Sequence, residues 1–459
     1  MSSRFIGVLD IGRTSAKVAL VDLASRSESM ARKLPNTVRS DGPYPHYDVE
    51  ALWAFTLEAL AELNREAPLE ALSVTTHGAS AALVGADGQL TLPVLDHAFA
   101  GPDELAVEYD AARPAFTESF TPRLPGGLNL GAQLFWQARR FPDAFEAARW
   151  IVPYPQYWSF RLSGVVASEI TSLGCHTDLW NFETDLYSSL VLGQRWLHKM
   201  PAVRPATDVL GPVLPELAAR LGLRPHVPVH SGIEDANASL LPHLLEREPP
   251  FAVVSTGPWV AVFAPGGSLS RLDPARGCLA NIDAFGRPVP SARFMGGLEL
   301  VQLCGEQPPV PHEAAIARVL EEAIVLSPSV AEGSGPFPER RARWNKPLHT
   351  LDRGTVHVAV SFYLAMMTAA CLDLTGADGD VVVEGPFAGD RLYLQMLASA
   401  VGRRVLATAD ASLGASIGAA LLARPPGAGP DQKTALQIVP AMPEMAAYAR
   451  YWRSIVGDV

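Results

Sequence analysis

The chain has 459 residues, too many for one comfortable hydrophobic core, so two domains are the natural expectation. With 48% hydrophobic and 19% charged residues it has the balance of a soluble, well-packed globular protein. Its net charge of -11 argues against nucleic acid as a partner, since a phosphate backbone selects a concentrated basic surface, but leaves a small anionic ligand open.

Taken in order, the chain opens with an apolar β run, Phe5-Ile-Gly-Val-Leu-Asp10-Ile-Gly12, a small polar turn, and a second β run through Lys17. Asp48 then caps a helix in which Leu52, Phe55, Leu60 and Leu63 recur on one face. A short strand, Leu72-Ser-Val-Thr-Thr76, ends at His77-Gly78. Ligands of parallel sheets collect just beyond such strand ends, which makes His77 a candidate. A turn- and aromatic-rich stretch over residues 101–180 reads as an insertion in the first domain. Its aromatics Tyr154, Tyr157, Trp158 and Trp180 would either stack on a sugar ring or fill a core.

The opening pattern returns just past the middle as Phe251-Ala-Val-Val-Ser-Thr256-Gly257-Pro-Trp-Val-Ala-Val-Phe-Ala. Each copy reads as a β-hairpin whose apex uses glycine for turn geometry and close approach to a ligand. Residues 241–250 read as a hinge, which divides the chain into domains 1–245 and 246–459. Two similar domains facing each other across a cleft would bring both hairpins onto one ligand. Further on, residues 381–384 read as a strand before the Gly385-Pro386 turn, with a helix from Arg391 to about Ala400. Residues 411–422 form a helix of small residues around Gly414 and Gly418. Residues 425–430 read as a flexible break before an amphipathic terminal segment over residues 448–455.

Cys175, Cys278, Cys304 and Cys371 stand far apart, without Cys-x-x-Cys or Cys/His metal spacing, so free thiols in a reducing compartment are expected. The apolar run over residues 251–264 is interrupted by Gly257 and Pro258 and is too short for a bilayer. Asp10 arrives before a signal-peptide core can develop. The expectation is a cytoplasmic protein with no membrane partner; a homodimer is left open as its assembly.

Neither a Gly-x-x-x-x-Gly-Lys-Ser/Thr loop nor a Gly-x-Gly-x-x-Gly turn after a strand is present, so phosphate would be held by backbone N–H groups of the hairpins. Asp10, beside Gly12, Thr14 and Lys17, is either a carboxylate holding Mg²⁺ through water or a turn aspartate capping its own backbone. Asp235, in Ser231-Gly232-Ile-Glu234-Asp235-Ala-Asn237, is either a helix cap or a general base for a sugar hydroxyl attacking an in-line γ-phosphate. His77 and Asp96 would hydrogen-bond sugar hydroxyls or satisfy local backbone.

In order along the chain, these segments resemble the FGGY family of carbohydrate kinases, within the actin–hexokinase–heat-shock ATPase superfamily. Asp10-Ile-Gly12-Arg13-Thr14-Ser-Ala-Lys17 resembles its first phosphate motif and Thr76-His77-Gly78 its sugar-side motif. Gly232-Ile-Glu-Asp235-Ala-Asn-Ala resembles the catalytic-base motif, and Thr256-Gly257 falls at the second phosphate motif. Glu384-Gly385 with Gly414-Ala-Ser-Ile-Gly418 resembles the adenosine region, and the overall flavour is closest to the deoxyketose kinases.

The resemblance implies an α/β fold of two ribonuclease H-like, actin-like ATPase domains, ATP with Mg²⁺, and transfer of the γ-phosphoryl to a ketose hydroxyl. Asp235 would be the base and Asp10 the metal carboxylate. Gly12, Arg13, Thr14, Lys17, Thr256 and Gly257 would bind the phosphates, Gly385, Pro386 and Gly414 adenosine, and His77, Gly78, Asp96 and Asp235 the sugar. Three departures stand out. Pro258 follows the second phosphate glycine where a hydroxyl residue is usual, Pro386-Phe387 replaces a second glycine, and Glu234 precedes the base where relatives tend to have histidine. A non-catalytic sugar- or nucleotide-binding sensor is the alternative that the two prolines motivate.

Overall fold

A computed structural model describes residues 4–408, 414–424 and 434–457. The sequence features at residues 411–413 and 425–430 lie outside the described residues. The chain forms two compact units that part between Glu246 and Arg247; Ala280–Pro288 and the described residues 414–424 go with the first unit.

In the first unit, Phe5–Ile11 pairs antiparallel with Ser15–Asp22 and parallel with Ala71–Thr76. The full order is Val209–Pro212, Pro228–His230, Ala71–Thr76, Phe5–Ile11, Ser15–Asp22 and Ser27–Pro35, and Ile233–Glu234 also pairs with Ala71–Thr76. Strand alternation divides the central apolar residues between two cores. Leu9 and Ile11 join Leu52, Leu57, Leu60 and Leu63 of the Val49–Glu66 helix, while Ile6 and Val8 join Ala238, Leu241, Ile417 and Ala419. The edge strand Ser27–Pro35 is largely exposed and carries Glu28, Arg32 and Lys33, charges that discourage pairing with another chain. Asp48 caps Val49–Glu66 by accepting the Ala51 N–H at 3.1 Å.

Residues 101–180 are more regular than their turn-rich composition suggests. They contain the helices Leu130–Arg140 and Tyr154–Ser163, and the strand Ala148–Pro153, which pairs with Ala81–Gly85. An aromatic core of Tyr109, Phe135, Trp136, Phe145 and Trp180 explains the regularity, and Tyr154, Tyr157 and Trp158 are likewise buried in the first unit's core.

The second unit repeats the pattern around Phe251–Thr256, antiparallel to Val260–Phe263 on one side and parallel to Asp380–Glu384 on the other. Its sheet runs Cys278–Ile282, Pro288–Phe294, Val260–Phe263, Phe251–Thr256, Asp380–Glu384, Val405–Thr408, Leu436–Val439. Arg353–Leu374 is long and apolar enough by composition to cross a membrane, and is a buried core helix here. Residues 241–246, read as hinge, are instead the last turns of the Asp235–Glu246 helix, which tolerates Pro242 internally.

Candidate functional site

Asp10 and Asp235 stand at the same end of one sheet. Asp10 is opposite Thr75 of the parallel strand Ala71–Thr76, and Thr75 is in turn opposite Ile233. Asp10, near the end of its strand, and Asp235, just past its own, thus belong to parallel strands that flank a third, at the carboxyl ends where α/β folds bind ligands.

The antiparallel register puts Lys17 directly across from Asp10, with its Nζ at 3.3 Å from Asp10 Oδ2 and at 2.6 Å from Glu28 Oε1. Burial alone would lower the lysine, but the Asp10 and Glu28 carboxylates outweigh it and raise the ammonium above its ordinary value. The Ser416 hydroxyl donates to Asp10 Oδ2 at 2.9 Å.

The turn between the two strands is closed by the Gly12 N–H donating to the Ser15 carbonyl at 2.9 Å. Asn36 braces it from outside, with its Nδ2 donating to the Gly12 carbonyl at 2.9 Å and its N–H to the Thr14 carbonyl at 3.0 Å. Arg13 and Thr14 sit exposed at the apex. Arg13 Nε reaches Asp96 Oδ1 at 3.4 Å, and the same oxygen accepts from the Tyr47 hydroxyl and the Ala98 N–H, both at 3.1 Å. Burial would raise the Asp96 carboxyl, yet these three donors together hold it below the usual range. Asp96 is thereby tied through Arg13 to the turn after Phe5–Ile11 as well as to Tyr47 and Ala98.

His77 continues the strand, its N–H bonded to the Ile11 carbonyl at 3.0 Å, and its Nδ1 is 2.9 Å from the Gly78 carbonyl. Its Nε2 is buried without a protein partner, as is Nδ1 of His97, whose ring lies 5.0 Å away centroid to centroid. Burial drives both imidazoles down, His77 to about 4 and His97 to about 3, so both are neutral at physiological pH. Gly78 is hemmed in: a Cβ there would meet Cys175 Sγ, Glu234 Oε1 and His176 Nε2 at 3.4 Å each. Ala79 follows with φ 55°, a left-handed conformation that costs a non-glycine residue free energy and recurs at functional turns.

Asp235 opens the helix Asp235–Glu246 and is half-buried. It does not serve as the helix cap. Glu234 does, its Oε2 accepting the Asn237 N–H at 3.0 Å and Asn237 Nδ2 at 3.1 Å. Burial first, then the Glu234 carboxylate and the Asp10 charge, push the Asp235 carboxyl well above the ordinary range. The approach to Asp235 is rigid. Gln156 Nε2 donates to the Ser231 and Gly232 carbonyls at 3.2 Å, and Ser159 Oγ to those of His230 and Ser231 at 3.0 and 3.1 Å. Gly232 has φ 89°, and a Cβ there would stand 3.0 Å from the Val74 carbonyl. Behind Glu234, whose N–H donates to Thr171 Oγ1 at 3.1 Å, the Thr171 hydroxyl donates to the fully buried Glu169 at 2.6 Å. Burial raises Glu169 to about 7.

In the second unit, Thr256 and Gly257 end the Phe251–Thr256 strand, but the Thr256 hydroxyl is already engaged. It donates to the Glu384 carbonyl at 2.6 Å and accepts the Phe387 N–H at 3.0 Å, joining the hairpin to the Gly385-Pro386 turn. Gly385 has φ 80°, and a Cβ there would sit 2.1 Å from the Thr256 carbonyl. Pro386 opens a short 3-10 helix, Pro386–Gly389. Gly414, grouped by sequence with that region, leads into the helix Ala415–Leu421 of the first unit.

At Gly12 a Cβ would fall 3.0 Å from the Ser15 carbonyl, so that turn is crowded; the expected turn-geometry role needs correcting at Gly257. Neither Gly12 nor Gly257 is left-handed, and a Cβ on Gly257 would find only the Trp259 carbonyl, at 3.9 Å. The crowded position beside Gly257 is Gly297, where a Cβ would fall 1.9 Å from the Gly257 carbonyl. Gly297 carries no sequence signal of its own, and Glu169, His97 and Ser416 are likewise found only once the fold places them.

Family models match nearly the whole chain: "FGGY family of carbohydrate kinases, N-terminal domain" over residues 5–242 and "Carbohydrate kinase FGGY, C-terminal domain" over residues 248–432. An L-fuculokinase of Salmonella typhi is 24% identical over 347 residues, covering 72% of each chain. Among solved structures, a carbohydrate kinase from Novosphingobium aromaticivorans is 31% identical over 99% of both chains with a TM-score of 0.91. A xylulose kinase from Lactobacillus acidophilus, 14% identical with a TM-score of 0.82 over 98% of this chain and 96% of that one, shares the fold.

Proposed function

The chain belongs to the FGGY family of carbohydrate kinases, and from that premise we propose that this sugar kinase phosphorylates a hydroxyl of a ketose, either a ketopentose or a 6-deoxyketohexose, with ATP as donor and Asp235 as general base. The similarity to an L-fuculokinase and to a xylulose kinase supports that acceptor class. The observation that carries the reading is the state of Asp235: a half-buried carboxylate at the strand ends, relieved of capping duty by Glu234 and made more basic by its neighbours. Such a group is suited to take the proton of an attacking hydroxyl. The neutral His77 and His97, each with a buried ring nitrogen lacking a protein partner, suit uncharged sugar hydroxyls, with Gly78 and Asp96 shaping the wall beside them.

For the phosphates we propose the exposed N–H groups of Arg13 and Thr14 with Lys17 in the first unit, and the Thr256-Gly257 turn in the second. Pro258 leaves that second turn one donor short. Gly385, Pro386 and Gly414 remain the proposed adenosine contacts.

The donor set fits Mg²⁺ held mainly by nucleotide phosphates and water. Asp10 offers hard carboxylate oxygen, while among the described residues no group of three or more His, Cys, Asp or Glu is arranged to hold a metal. Bound with the nucleotide, Mg²⁺ supplies charge neutralisation at the transferring phosphoryl. Asp10 would orient its water shell, Lys17 would fix Asp10, and Asp235 would hold the proton released by the sugar.

A coupled ADP-release assay over ketopentoses, 6-deoxyketohexoses, glycerol and erythritol tests the proposal, with Asp235→Asn as control. Stimulation by a ketose that disappears in the variant is the expected result. Sugar or nucleotide binding by calorimetry, with no sugar stimulating ADP release, would establish the sensor reading that Pro258 favours instead.

A further inference from the structure

We propose that Ser416 is a positioning residue for the Asp10 carboxylate, and that the helix carrying it sets the spacing between Asp10 and Asp235. The inference rests on Asp10 being the metal-side carboxylate and Asp235 the base.

Ser416 is completely buried, and its hydroxyl reaches Asp10 Oδ2 at 2.9 Å. Lys17 contacts the same oxygen from the neighbouring strand, but its ammonium lies closer to Glu28, at 2.6 Å against 3.3 Å, and is shared between two carboxylates. Ser416 is thus the donor whose own position is fixed by packing. Both contacts fall on Oδ2, and Oδ1 is the oxygen we assign to a metal-bound water.

The helix Ala415–Leu421 has little freedom to move. At Gly418 it lies so close to the base helix that a Cβ would fall 1.7 Å from the Ala238 carbonyl. One residue further, the Ala419 carbonyl accepts the Ser73 hydroxyl at 2.7 Å, from the strand lying between those that lead to Asp10 and Asp235. Ile417, Ala419, Ala420 and Leu421 are packed in one core cluster with Ile6, Val8 and Ala238. One short helix therefore touches the Asp10 strand, the middle strand and the Asp235 helix, and a shift in any of them is resisted by the other two.

The test is calorimetric binding of ADP with and without Mg²⁺ to the full chain, which separates metal coordination from turnover. Ser416→Ala is expected to weaken the Mg²⁺-dependent gain in ADP affinity by roughly tenfold, the loss typical of a hydrogen bond to a charged group, while Mg²⁺-free ADP binding stays unchanged. Ser416→Thr, which keeps the hydroxyl, is expected to restore part of that gain. In an Asp10→Asn background, Ser416→Ala is expected to have no additional effect, because the two residues act as one unit. Equal losses in both backgrounds, or loss of Mg²⁺-free binding to the same extent, would overturn the proposal in favour of a purely structural serine. If Asp10→Asn abolishes the Mg²⁺-dependent gain but Ser416→Ala leaves it intact, Ser416 is not a positioning residue and the reading of Asp10 stands. If Asp10→Asn leaves the gain intact, both fall together.

Discussion

Glu234 caps the helix that Asp235 begins, which relieves Asp235 of that role and suits it to the task of base proposed for it. Glu234 spends its Oε2 on Asn237, and its negative charge raises the neighbouring Asp235. Glu234→Gln keeps a carbonyl oxygen for the cap and removes the charge. Asp235 should then ionise more easily, moving the acid limb of the kcat/KM pH profile to lower pH. An unmoved limb would mean that Glu234 does not tune the base.

Asp235→Asn should lower kcat by about 10²–10⁴-fold, the usual contribution of a general base. The same change should not lower Tm at neutral pH and should raise it. The folded state favours protonated Asp235, so its contribution to stability is present below the ordinary carboxylate pKa and is lost as pH rises through the elevated one. Thermal melts at pH 7 and above, compared with the wild type, check the sign.

Glu169 makes a second pH prediction, now for stability alone. Its buried carboxyl titrates at about 7 in the fold, against 4.5 as the ordinary value. Its stabilising contribution is therefore complete below about 4.5 and lost as pH rises to about 7, on the order of 3 kcal/mol at most. Denaturant titrations across that window should show wild-type stability falling relative to Glu169→Gln, whose side chain does not titrate.

In the second unit, Gly385→Ala should destabilise by about 1–3 kcal/mol or more, since the position is left-handed and a Cβ would sit 2.1 Å from the Thr256 carbonyl. Because Thr256 and the Gly385 turn are joined, KM for ATP should rise while KM for the sugar changes little. A variant with unaltered ATP dependence would separate this turn from nucleotide binding.

The two hairpins are legible in the sequence because each is an apolar run, a polar turn and a second apolar run, and pairing follows from that alternation. The helix cap at Asp48 and the strand ending at His77 are legible for the same local reason. The regular structure within residues 101–180 is not, because its short helices and strands are stabilised by shared burial of Tyr109, Phe135 and Trp136 rather than by their own periodicity. The difference between Glu234 and Asp235 is also hidden: spacing alone cannot tell which of two adjacent acids caps the helix. Gly297 carries no signal, and at Gly418 the small-residue pattern is legible but its partner is not, since what makes each indispensable is a carbonyl from a distant part of the chain.

The Asp10–Ser416 contact spans 406 positions of sequence, and this has a consequence for biosynthesis. As the chain emerges from a ribosome, the strands of the first sheet and the Asp235 helix are available once residue 246 has been made, yet Ile6, Val8 and Ala238 lack part of their cover until residues 415–421 arrive. Domains generally fold as units during synthesis, N-terminal first, but this one must wait for its final helix. Translation intermediates arrested before residue 414 should therefore be cut readily by protease within the first unit, and should gain resistance only when that helix is added.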